Sequence, residues 1–152
     1  MQMASADQTT YPKFTQYVRF SMPKLVDVPV IVNALRNIGQ INLARMRLVL
    51  KWGSGPMLKI GPLPGKYGEF TPDIGSNEIS LNERTVKAFE DGRGLVTASA
   101  GKVYLIGVVM LHELVHWGDD QDGVDRPGEE GKEFETAVYG SAITDTLFPG
   151  QI

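Results

Sequence analysis

Two histidines and a glutamate stand together in His112-Glu113-Leu114-Val115-His116. On a helix, residues four apart share a face, so both imidazoles can reach one metal ion. The glutamate between them lies beside that face, within reach of a water that the metal would activate. Five residues of these types in this order are chemistry for metal-assisted hydrolysis.

His112 and His116 are the only histidines, and the chain has no cysteine. Zinc in a catalytic site takes three protein ligands and leaves a position open. The remaining ligand is therefore expected to be Asp or Glu. Downstream of the motif stand Asp119, Asp120, Asp122, Asp125, Glu129, Glu130, Glu133 and Glu135. At about 100° per residue, a last helix groups Phe134, Ala137, Val138, Ser141 and Ala142 on one small or apolar arc. Glu135 falls inside that arc and Glu130 on its flank, while Glu129 and Glu133 point away. A carboxylate on a packed face wants a cation or a partner, which ranks Glu135 first, with Glu130 and Glu133 as rivals. Asp122, six residues beyond His116, is a further alternative, although Gly118 comes one residue early for the turn that such a ligand needs.

The elements that must position these groups can be sketched. The apolar run Val103 to Leu111 leads directly into the motif, and a helix that is apolar nearly all round is buried. Met1 to Thr10 is polar and reads as a disordered leader, leaving 11–152 as one domain. Tyr11 to Asp27 reads as irregular or short strand segments. Asp27 and Pro29 open a helix over about Val30 to Ile38. Alternation of Met46, Leu48, Leu50 and Trp52 predicts a strand, followed by a second at Met57 to Ile60. Gly61 to Gly68 lacks the Gly-Lys-Ser/Thr of a phosphate-binding loop and reads as an ordinary connection. Asn77 to Asn82 is a short strand, and Asn82 caps a helix over Glu83 to Glu90. Gly92 to Gly101 is a mobile-looking connection, and Pro127 introduces a final helix over about Glu129 to Ser141. Strands first and helices later predict α+β, with helices on one side of a small, mostly antiparallel sheet.

With 152 residues the chain can bury one core, and 42% hydrophobic with 22% charged residues is ordinary globular composition. A net charge of −3 without a Lys/Arg cluster gives no nucleic-acid footprint. The longest apolar run falls far short of the roughly 20 residues of a membrane span. Lack of cysteine leaves the redox compartment open.

The motif His112-Glu113-Leu114-Val115-His116-Trp117-Gly118-Asp119, followed by Glu130-Gly131, Phe134-Glu135 and Tyr139-Gly140, resembles the zincin metallopeptidases. It is similar in particular to the metallopeptidase toxin domains at the C-termini of bacterial Rhs- and VgrG-type secreted proteins. That resemblance covers roughly the last half of the chain. It implies a zincin-like fold with a buried metal-binding helix and a C-terminal ligand helix. It also implies one Zn²⁺ per chain on His112, His116 and Glu135, with Glu113 as base. Tyr139 is the expected oxyanion donor, with Tyr104 or Arg126 as substitutes. A peptide or protein substrate, an immunity protein and a larger secreted carrier follow from the same resemblance, with action in the target cell's periplasm or cytoplasm; by the same resemblance the strand at Ile79 to Leu81 could accept an extended peptide by edge pairing. A zinc amidohydrolase, or a binding domain stabilised by metal, are the alternative readings.

Overall fold

A computed structural model describes residues 1–72, 76–121, 123 and 128–146. In chain order the elements begin with β1 (Gln2–Met3), α1 (Ser5–Thr10) and α2 (Pro12–Gln16). A π-helical turn (Tyr17–Ser21) and a 3-10 turn (Met22–Asp27) lead to α3 (Pro29–Asn37) and α4 (Leu43–Val49). Then come β2 (Met57–Gly61), β3 (Gly68–Glu69), β4 (Glu78–Asn82) and α5 (Glu83–Glu90). The chain continues through β5 (Leu95–Ala98), β6 (Gly101–Tyr104), α6 (Leu105–Asp120), α7 (Glu130–Tyr139) and α8 (Ile143–Thr146).

The protein is mixed α+β, but its main sheet departs from the expected antiparallel pattern. Four strands run in the order β1-β2-β4-β3, with β1–β2 and β2–β4 parallel and only β3–β4 antiparallel. The reason lies in the connection from β2 to β4. It passes over β4 and runs back along its far side as β3, so β2 and β4 keep one direction. This also places β4 inside the sheet, paired on both sides. The expected peptide pairing along Ile79 to Leu81 is therefore closed, and among the described residues β3 is the edge strand that packs against the motif helix. A separate hairpin, β5–β6, occupies the stretch read as a mobile connection, with Val96 opposite Val103.

Residues 1–10 are not a disordered leader. Gln2 and Met3 pair with Met57 and Leu58, and Met1 and Met3 are buried in the core. Tyr11 to Asp27 is helical because Phe14, Val18 and Met22, four apart, are each fully buried. The alternation over 46–52 likewise conceals a helix. Met46, Val49 and Leu50 are buried at helical spacing while Leu48 is 60% exposed, and Asn42 caps α4 by accepting from the Arg45 N–H at 3.0 Å. In α3 the N-cap is Val28, and Asp27 makes no cap.

Helix α6 is the centre of the fold. From Leu105 to Val115 every residue is buried, so the helix presents no solvent face until His116. It packs against β3, β4, β6, α5, α7 and α8. Among the described residues no helix is long and apolar enough to cross a membrane.

Candidate metal centre

The site is assembled on α6 and closed from two sides. One wall is β3 with the residues after it, and the other is the turn into α7. A cleft of about 400 Å³ lies between them, lined by Lys66, Gly68, Glu69, Phe70, Pro72, His112, Glu113, His116, Asp120, Gly128, Glu129 and Glu130.

His112 and His116 project into this cleft one helical turn apart, and their Nε2 atoms face each other at 3.3 Å. Their opposite nitrogens are both engaged by carboxylates. His112 Nδ1 lies 2.6 Å from Glu135 Oε1, and His116 Nδ1 lies 3.3 Å from Glu130 Oε2. Such partners hold the proton on Nδ1 and turn the Nε2 lone pairs inward. Two inward lone pairs repel unless a cation sits between them. Tetrahedral zinc with Zn–N near 2.0–2.1 Å separates two ligand nitrogens by about 3.3–3.4 Å, which matches the pair. Among the described residues, His112, His116 and Glu129 offer one ligand atom each, all within 4.8 Å of one another. Two imidazoles and a carboxylate are a donor set that suits a divalent metal with an open position.

Glu129 escaped the helical-wheel ranking because it is not on the helix. With φ −119° and ψ 75° it precedes the first turn of α7, so the rule of 100° per residue does not govern its direction. Glu135 stands elsewhere, wholly buried, on the Nδ1 side of His112. Its carboxylate also accepts from Thr144 N–H at 2.9 Å and Thr144 Oγ1 at 2.7 Å. Glu133 makes no part of the three-residue donor group. Asp122 and Arg126 lie outside the described residues.

Gly131 shows why α7 can come so close. A Cβ there would fall well inside van der Waals contact with the His112 ring. Gly118, weighed in the sequence as part of a ligand turn, has a different role. Its missing side chain lets the Gly39 carbonyl and Ile41 lie directly on the helix. Gln40 between them has φ +54° and donates to Asp119 Oδ1 at 2.6 Å, locking that crossing.

Glu113 points to the other wall. Phe70 N–H donates to its Oε2 at 2.8 Å. Gly68 permits the approach, since a Cβ there would meet Val109 Cγ1 at 2.7 Å and Glu113 Oε1 at 2.9 Å. The segment read as an ordinary loop is thereby a positioning element. Asn82 pins it by donating from Nδ2 to Leu63 O at 2.8 Å and Lys66 O at 2.7 Å. Burial pushes the Glu113 carboxyl up to about 7, against the opposing pull of His112 and the Phe70 N–H. For His112, burial lowers the imidazole pKa, yet the Glu135 hydrogen bond and the charges of Glu113, Glu135 and Glu129 outweigh it and raise the net value. A carboxyl titrating near neutrality beside two cleft-facing imidazoles can hold or release a proton where hydrolysis would require it.

Tyr139, the expected oxyanion donor, packs edge-on against Phe134 in the core and lines no part of the cleft. Tyr104 packs edge-on against Tyr17 and Phe89 instead.

A family model described as metallopeptidase toxin 3 matches residues 7–140. The chain belongs to that family. Membership makes it a metal-dependent peptidase of toxin type, with protein as the substrate class, and the match reaches well upstream of the motif into the helices before β2. No curated protein and no solved structure matches the chain.

Proposed function

We propose that this metallopeptidase toxin domain is a zinc endopeptidase of a secreted bacterial effector, built on His112, His116 and Glu113. The observation that carries the reading is the pair of inward Nε2 atoms at 3.3 Å, each backed by a carboxylate on Nδ1. Glu129 is the third ligand in this reading, and Glu135 stands behind His112 rather than on the metal.

When bound, the metal supplies Lewis-acid polarisation of a water and of the scissile carbonyl. The remaining steps belong to the chain. Glu113, held by the Phe70 N–H, accepts a proton from the water as its oxygen bonds to the carbonyl carbon. The same proton passes to the amide nitrogen as the C–N bond breaks, so one carboxyl serves as base and then as acid. Burial raises the Glu113 carboxyl in the metal-free protein, and a bound cation would favour its ionised form, the form a base needs. An extended substrate has the free edge of β3 beside the site, where main-chain pairing would orient it. An immunity protein and a larger carrier are the partners that this role requires.

The test is Glu113→Gln assayed on an unfolded protein substrate. Zinc content should remain at wild-type level while hydrolysis falls by about 10²–10⁴-fold. Wild-type turnover by the zinc-loaded variant would remove Glu113 from the mechanism.

A further inference from the structure

Glu135 does more than partner His112, because a third residue determines where its carboxylate can be. Thr144, in the short α8, binds that carboxylate at two points: its backbone N–H donates to Oε2 at 2.9 Å and its hydroxyl to Oε1 at 2.7 Å. Oε1 is the same oxygen that lies 2.6 Å from His112 Nδ1. A carboxylate held by a fork of this kind has no freedom to rotate about its last torsion. The imidazole on its other side then has one orientation.

The chain path explains how α8 reaches this place. Gly140 ends α7 with φ +84°, and a Cβ there would lie 2.8 Å from Ser99 Oγ. The Ser99 N–H donates to Tyr139 O at 3.0 Å, so the β5–β6 turn braces the reversal. Ile143 is then buried and sets Thr144 against Glu135.

We propose that Thr144 is a positioning residue for the metal. Through Glu135 it fixes the His112 ring and so sets the affinity of the site, while standing outside the donor group of His112, His116 and Glu129. The inference rests on the zinc reading above. Partners of metal-bound histidines are worth 10–100-fold in affinity when removed, and Thr144 is the side chain that immobilises such a partner. On the other ligand, Glu130 Oε2 meets His116 Nδ1 at 3.3 Å.

The experiment measures the zinc dissociation constant by chelator competition for wild type, Thr144→Val and Thr144→Ser. Valine keeps the shape and the backbone N–H but removes the hydroxyl donor, whereas serine retains it. Thr144→Val should bind zinc about tenfold more weakly, with Thr144→Ser close to wild type. The cobalt(II) visible spectrum should shift in the valine variant alone. Urea midpoints of the metal-free proteins separate positioning from folding. An affinity loss no larger than the loss of metal-free stability, equal losses in both variants, or unchanged affinity in Thr144→Val would each overturn the proposal. A wild-type protein that binds no zinc would overturn the metal reading, and this one with it.

Discussion

At the scale of single residues, the site is organised by what stands behind the chemistry as much as by what performs it. His112, buried, and His116, half-buried, would be ordinary imidazoles without Glu135 and Glu130 on their Nδ1 atoms. Gly131 is the residue most exposed to a simple test. Its helix passes so close to His112 that a methyl group would occupy the space of the ring. Gly131→Ala should therefore turn the imidazole away from its partner. We expect a loss of zinc affinity of at least tenfold and a destabilisation of about 1–3 kcal/mol from overpacking, read by chelator competition and urea unfolding. Wild-type affinity in Gly131→Ala would show that His112 can shift without cost to the site. The five-residue motif was legible because helical spacing makes His112 and His116 share a face. Glu129 was not, since a residue outside the helix obeys no wheel, and Thr144 gave no local signal at all.

At the scale of elements, apolar spacing determined the outcome wherever a segment was long. The buried character of α6 followed from its uninterrupted apolar run, and β2, β4 and α5 with its Asn82 cap were equally visible. Short segments misled for a physical reason. Met46, Leu48 and Leu50 satisfy a period of two, while Met46, Val49 and Leu50 satisfy 3.6, and only packing decides between them. The direction of β2 relative to β4 depends on where the intervening chain returns, which no local pattern encodes. The crossing of Gly39–Ile41 over α6 is of the same non-local kind. Gly118→Ala would drive a Cβ into the Gly39 carbonyl and the Ile41 side chain. Because one of those obstacles is backbone, we expect a loss of about 1–3 kcal/mol or more, visible as a lower urea midpoint. Unchanged stability would mean that the turn can lift from the helix freely.

At the scale of the whole molecule, membership of the metallopeptidase toxin family joins the site to a biological consequence. Expression in bacteria should arrest growth in the compartment that holds the target, and Glu113→Gln should abolish the arrest. Equal growth of wild type and variant, with and without an export signal, would count against the toxin role while leaving the chemistry intact. The metal should also couple to folding, because its proposed ligands come from α6 and from the turn into α7. Zinc at a hundredfold excess over its dissociation constant should stabilise the folded state by about 2.7 kcal/mol. The most direct test of the central claim is elemental analysis of purified wild type, His112→Ala, His116→Ala and Glu113→Gln after equilibration with equimolar zinc. One zinc per chain in wild type and Glu113→Gln, with loss of stoichiometric zinc in both histidine variants, is the predicted result; full zinc retention in both histidine variants would contradict it.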